Sequence, residues 1–324
     1  NLSKGFCKVG IEVHYICTTK ETSKPNYEVV DGIHFHWIQS LKGFFEWRRT
    51  VKLYKNILNT ISPDAVYVRG RNVLQYVAGN YAKEQKINFI WGNNGEDRAE
   101  LWKNLKRLKK SNKSLLKQIA LFPLKAWEDY FINQGIKMAD IVINQTKHQQ
   151  SETRKILNKS GVVLPNYFHE TNANGIKKNQ ILWLATLSPN KQPEKFIELF
   201  NKPIHNNWGI ILGGGSKIIS YQTRIFHKAT DYGITCVGSV AFKNSFDFYK
   251  DAKIYVNTSQ PDSDGLPNAY IQSWLAGTVV LSLHHDPNNW FDKHNIGYCS
   301  NGDMQQLRGK IDFSLYVEIT GEDS

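Results

Sequence analysis

Four cysteines, Cys7, Cys17, Cys236 and Cys299, are spread over 324 residues. None forms a C-x-x-C pair, which excludes a zinc ribbon and a disulfide framework. A reducing, cytoplasmic setting is expected. Long apolar runs are also missing: no stretch approaches the roughly 20 residues that span a bilayer, so no transmembrane helix is predicted. Residues 1–10 carry lysines and lack the uninterrupted apolar core of a secretory signal. The chain begins without methionine, as a fragment or a renumbered chain would. There is no low-complexity tract, and the 23 glycines and 10 prolines are near ordinary usage. No Ser-His-Asp order surrounds a nucleophile elbow, which removes one hydrolase class.

Acidic residues are short in one half only. Residues 1–165 hold 27 Lys and Arg against 14 Asp and Glu, whereas residues 166–324 hold 14 against 15. The net charge of +12 therefore belongs to the first half. It would suit nucleic acid, anionic lipid or an acidic substrate. No nucleic-acid-binding motif accompanies it, and we expect no nucleic-acid partner.

Hydrophobic residues make up 41% of the chain, enough for two cores. Short apolar runs alternate with amphipathic stretches, a pattern of buried parallel strands covered by helices. Strands are predicted at 12–17, 33–38, 65–68, 87–91, 141–143 and 162–164, then at 181–185, 209–212, 235–237, 254–256 and 279–281. Helices are predicted at 46–61, 73–84, 194–200, 218–232 and 267–276. The fold class is α/β, with a seam at Leu164-Pro165-Asn166 and a polar linker near 165–179. We expect domains at 1–165 and 166–324, with ligands beyond the carboxyl ends of their strands.

Three strand-end loops in the second half have phosphate-site chemistry. One run ends a strand in Gly213-Gly214-Gly215-Ser216, where bare backbone can approach an anion, or simply turn. Another, Leu187-Ser188-Pro189-Asn190-Lys191, places a cation at the start of a helix, or a lysine in solvent. The third is Asp264-Gly265-Leu266-Pro267-Asn268-Ala269-Tyr270-Ile271-Gln272. Pro267 suits the first helical position, so this helix N-terminus faces a phosphate, and Asn268 and Gln272 share one helix face.

The third segment, continued by Gly277-Thr278-Val279-Val280, resembles the signature of glycosyltransferase family 4, E-G-x-P-N-x-x-x-E-A-x-x-x-G-x-P-V-V. Residues 183–200 resemble that family's other donor segment, G-R-L-x-x-x-K, and Leu164-Pro165-Asn166 its interdomain I-P-N. The likeness is good over residues 160–305 and looser before them. It implies the GT-B architecture, two Rossmann-like parallel-sheet domains facing across a cleft, with an acceptor side at 1–165 and a nucleotide-sugar side at 166–324. It also implies retaining transfer of a sugar from a nucleoside diphosphate sugar to a glycan or lipid-linked glycan, as in cell-surface polysaccharide synthesis. The family's first glycine-rich loop would precede Asn1 and its closing helices would follow Ser324, so an incomplete first β-α unit is expected.

By this resemblance Asp264 stands beside the donor sugar as a catalytic carboxylate, and Lys191 holds the diphosphate. Thr186, Gly213, Gly214, Gly215, Gly265, Leu266, Pro267 and Asn268 complete the donor contacts. Gln272 takes the ribose, and Gly238, Ser239 and Val240 the base. The departures are Asp264 and Gln272 in place of two glutamates and Thr186 in place of an arginine. Those changes keep open a non-catalytic nucleotide-sugar-binding subunit, and a sugar-nucleotide epimerase is a rival within the fold. Asn93, Asn94, Glu96 and Asp97 are the acceptor-side candidates.

Asp262-Ser263-Asp264 spells the D-x-D of another glycosyltransferase fold, but no third ligand stands nearby, and neither metal nor cofactor is expected. His34, His36, His284 and His285 read as surface or satisfied histidines. Residues 102–125 interleave eight cations with leucine, isoleucine and phenylalanine. They read either as a solvated face or as an element that docks on the inner face of the cell membrane.

Overall fold

Strands too apolar to leave in water and helices with one apolar face assemble here into two units, Asn1–Tyr167 and Phe168–Ser324. The computed structural model describes residues 2–40, 46–95, 97–168, 176–201, 208–261 and 263–320. In the first unit the chain runs α1 (Leu2–Lys8), β1 (Val13–Thr19), β2 (Tyr27–Val30), β3 (Ile33–Gln39), α2 (Glu46–Ile61), β4 (Ala65–Arg69), α3 (Leu74–Gln85) and β5 (Asn88–Gly92). It continues through α4 (Lys103–Lys109), α5 (Leu115–Met138), β6 (Ile141–Asn144), α6 (Lys147–Leu157) and β7 (Val162–Val163).

The expected parallel sheet is divided. Strands β4-β5-β6-β7 form a four-stranded parallel sheet, and β1-β3-β2 form a three-stranded one. In the latter β1 runs parallel to β3, but β2 is antiparallel to it. The reason is the two-residue turn Asp31-Gly32, whose φ values of 53° and 76° are the pair of positive angles that a tight hairpin turn requires. Phe89 and Trp91 of β5, both fully buried, centre the core with Ile136 of α5. Arg71 reaches Asp129 of α5 at 2.9 Å inside this unit, and Asp129 also caps α4 by accepting from the N–H groups of Asn104 and Leu105.

The second unit runs β8 (Lys178–Leu184), α7 (Pro193–Glu198), β9 (Gly209–Gly213), α8 (Ile219–Asp231), β10 (Thr235–Gly238), α9 (Phe242–Asp251) and β11 (Ala252–Asn257). Then follow α10 (Asn268–Leu275), β12 (Val279–Ser282), α11 (Trp290–His294), β13 (Gly297–Cys299) and α12 (Met304–Thr320). Its six strands are all parallel, in the order β10-β9-β8-β11-β12-β13. The chain builds outward from β8 in one direction, then returns to build from β11 in the other. The carboxyl ends of β8 and β11 therefore flank a topological switch point, where loops diverge and leave a crevice. Trp183, Phe196, Leu212 and Val256 form the core beneath it.

Candidate functional site

A cavity of about 730 Å³ opens at this switch point, and every residue lining it belongs to the second unit. That volume suits a ligand the size of a nucleotide. Thr186, Lys191, Gly214, Gly215, Ser239, Val240, Asp264, Pro267, Asn268 and Gln272 line it, all expected from sequence. Gly213, Gly238, Gly265 and Leu266 do not line it; they shape the loops that do. Gly214 has φ 143°, and a Cβ there would run into the carbonyl of Ala185. That close approach is what the glycine run serves, since the Gly214 N–H donates to the Gly238 carbonyl at 2.7 Å and locks two loops together.

The glycine loop corrects one expectation. We expected the N–H groups from Gly213 to Ser216 to face an anion, but the Gly214 N–H is spent on Gly238 and the Ser216 N–H on Gln222 Oε1 at 2.8 Å. Among the described residues nothing accepts from the Gly215 N–H. Pro267 is likewise the residue before the helix rather than its first, because α10 begins at Asn268.

Lys191 and Asp264 come from loops 73 residues apart, yet Nζ lies 2.6 Å from both carboxylate oxygens. A chain of polar contacts sets this geometry. The buried Trp183 indole N–H donates to Thr258 Oγ1 at 2.9 Å, and the Thr258 hydroxyl reaches the carbonyls of Lys191 and Gln192 at 3.0 and 2.9 Å. The Gln260 N–H donates to the Asn190 carbonyl at 2.8 Å, clamping the lysine loop to the end of β11. On the other side, His285 Nε2 donates to the Gly265 carbonyl, holding the aspartate loop. Burial keeps His285 below the ordinary imidazole range, against the opposing effects of that carbonyl, Asp264 and Asp286. His285 is thus a supporting residue rather than a surface one.

Gln272 is buried, and its Oε1 lies 2.9 Å from Ser245 Oγ, which fixes the amide at the cavity wall. Several lining residues went unread in the sequence, among them Lys217, Ser245, Asn257 and Ser259. Lys217 had a local signal, since it follows the glycine run directly and supplies a second cation to a pocket where Thr186 supplies none. The D-x-D reading cannot be followed through Asp262, which lies outside the described residues; Asp264 is engaged by Lys191.

In the first unit two of the acceptor-side candidates, Asn93 and Asp97, are engaged within the fold. Asn93 is buried, its N–H donating to the Ile143 carbonyl at 2.8 Å and its side chain to Asn144 Oδ1 at 3.2 Å. Asn94 lies against Gly70, and Asp97 pairs with Lys103 and, at 3.4 Å, with Arg107. Glu96 lies outside the described residues. In the basic segment Lys103 is buried, while Lys106 and Lys125 pair with Glu100 and Glu128 at 2.6 and 2.7 Å. Lys109, Lys110, Lys113 and Lys117 stand on the surface. Beside them Leu115, Leu116, Ile119 and Phe122 are 73, 80, 61 and 56% exposed. Their spacing puts four apolar side chains on one stripe of α5.

No protein-family model matches the chain, and neither does any curated protein. Solved structures do. HepE of Anabaena, in complex with UDP and glucose, has a TM-score of 0.61 at 13% identity, covering 88% of this chain and 77% of that one. The fold is GT-B. A glycosyltransferase from Rickettsia africae has a TM-score of 0.57 at 15% identity, covering 87% of this chain and 75% of that one. A TarM mutant of S. aureus, in complex with fondaparinux, alpha-GlcNAc-glycerol and UDP, has a TM-score of 0.56 at 14% identity. This alignment covers 81% of this chain and 51% of TarM, so the chain spans about half of TarM's length.

Proposed function

We propose that this chain is a retaining glycosyltransferase that moves a sugar from a nucleoside diphosphate sugar to a hydroxyl of a glycan or lipid-linked glycan. The observation that carries the proposal is the Lys191–Asp264 pair, set in a nucleotide-sized cavity at the switch point of a GT-B domain. In that reading the diphosphate takes Lys191, the Gly215 N–H and the N-terminus of α10, whose combined positive potential stabilises the departing charge. Lys217 adds a second cation. Asp264 then faces the sugar and offsets the positive charge that develops at its anomeric carbon. Gln272 holds the ribose, and backbone from Gly238 to Val240 holds the base. Phosphate chemistry here is served by side chains and backbone, so we propose that the donor site works without metal or cofactor.

The domains of the proposal are a nucleotide-sugar side at 166–324 and an acceptor side at 1–165. The exposed stripe on α5, flanked by four lysines, supports peripheral attachment to an anionic membrane at the inner face of the cell membrane, where lipid-linked acceptors are held. Incubation with a panel of UDP and GDP sugars tests the whole reading: binding with release of free sugar or transfer supports an enzyme. Donor binding without any turnover would favour a non-catalytic nucleotide-sugar-binding subunit. The departures at Thr186 and Gln272, which leave the pocket without a second arginine-type cation and without a ribose-facing carboxylate, favour that second reading.

A further inference from the structure

Among the described residues, one trio of metal-ligating side chains comes close enough to share an ion: Glu12, His14 and His34, whose ligand atoms all lie within 4.8 Å of one another. The trio lies in the first unit, at the amino ends of β1 and β3, and none of its members lines the donor cavity. Strand geometry makes the cluster. His14 and His34 are register partners across the parallel β1/β3 pair, so both project from the same face of the sheet. Glu12 precedes His14 by two residues, and the period of two returns it to that face. His36 follows His34 by two, and Tyr27 of β2 is its antiparallel partner.

The second ring nitrogens are already engaged. His14 Nδ1 is 2.9 Å from His36 Nε2, and His34 Nδ1 is 2.5 Å from the Tyr27 hydroxyl. In the tautomers that carry the proton on Nδ1, His14 donates to His36 and His34 donates to Tyr27, leaving an Nε2 lone pair on each ring. Those two Nε2 atoms lie 2.7 and 3.9 Å from the same oxygen, Glu12 Oε1. The His14 and His34 rings are stacked with centroids 4.6 Å apart. Two imidazoles and a carboxylate, each imidazole oriented by an outer hydrogen bond, form the donor set of a three-ligand zinc site. Bonds of about 2.0–2.2 Å would place ligand atoms roughly 3.3 Å apart, within the range observed. Closing the site requires the two stacked imidazoles, inclined at 23°, to turn their Nε2 lone pairs toward one point, while the largely exposed Glu12 side chain adjusts to meet them.

We propose that Glu12, His14 and His34 bind a zinc-class divalent cation that ties the amino ends of β1 and β3 together, with His36 and Tyr27 as orienting partners. The site is structural and separate from sugar transfer.

The test uses the full chain freed of metal with a chelator and titrated with zinc chloride by calorimetry. One equivalent should bind and raise the melting temperature, as a ligand specific to the native state must. Tyr27→Phe and His36→Gln should weaken binding by about 10–100-fold, the range for outer partners of metal ligands. His14→Gln with His34→Gln should abolish it. Should that double variant fold poorly, the exposed Glu12→Gln carries the same test. Cobalt(II) should give the intense visible absorption of a four-coordinate site in the parent and lose it in these ligand variants. Equal zinc affinity in parent, double variant and Glu12→Gln would overturn the proposal, as would cobalt spectra of six-coordinate type.

Discussion

Lys191 carries two tasks that can be separated by mutation. In the open pocket it neutralises Asp264, and in the proposed complex it neutralises a diphosphate. Lys191→Ala removes the cation and leaves the Asp264 carboxylate facing the phosphates. We expect nucleoside diphosphate affinity to fall by about 1.5–3 kcal/mol, the range for a hydrogen bond to a charged group, or roughly 10- to 150-fold. Calorimetry with UDP and GDP reads this directly, and unchanged affinity for both would remove the donor-site assignment. Asp264→Asn tests the other half of the pair. It frees Lys191 while sparing the phosphate contacts, so nucleotide affinity should stay within a few fold while transfer is lost. Retained transfer would assign the sugar-facing role to another residue.

At the scale of elements, the amino-terminal part of α5 is the segment whose surface asks for a partner. Leu115, Leu116, Ile119 and Phe122 are exposed beside four unburied lysines, whereas Lys103 is buried and cannot reach a membrane. The cations most available to lipid are therefore Lys109, Lys110, Lys113 and Lys117, each worth up to about 1 kcal/mol near an anionic surface. Vesicles of phosphatidylserine and phosphatidylcholine should bind the protein and neutral vesicles far less. Raising salt from 0.1 to 1 M should release it, because the Debye length shrinks from about 10 to about 3 Å. Exchanging the four lysines for glutamine should prevent sedimentation with anionic vesicles without altering nucleotide binding. Equal sedimentation of variant and parent would return the lysines to an ordinary solvated face.

Across the whole molecule, titration predicts how stability responds to alkali. Burial pushes Lys103 and Lys177 down to about 8 from an ordinary 10.5. Between those values the unfolded chain binds protons that the native chain has shed, so stability rises with pH. Burial also raises Tyr54 to about 12 and lifts Tyr249, Tyr255 and Tyr270 above the ordinary 10. Above about pH 10 the unfolded chain releases tyrosine protons that the native chain keeps, and stability falls. Melting temperature should therefore peak at about pH 9–10. A steady decline from pH 7 upward would contradict the assignment of both groups.

The alternation of strand and helix was legible at this scale, since periodicity alone marks a covered parallel sheet. The loops that line the cavity were legible because glycine, proline and a lone lysine stand at strand ends, where composition is informative. The β2 hairpin carried a signal at Asp31-Gly32, but Tyr27–Val30 is only four residues long, too short for an alternating pattern to stand out. Strand β13, three residues long, offers no period to detect. Contacts that depend on register across strands, such as His14 beside His34, leave no trace in a linear reading. The same holds for Lys191 against Asp264, because loop closure over 73 residues is fixed by packing rather than by spacing.

The tie from Trp183 through Thr258 to the Lys191 carbonyl also gives the pocket an optical reporter. Trp183 lines the cavity while 98% of its surface is sealed from water, so its emission should be blue-shifted and sensitive to any movement of the lysine loop. Filling the cavity with a nucleotide should change that emission in the parent protein. In Trp183→Phe the change should vanish against the background of the eight remaining tryptophans.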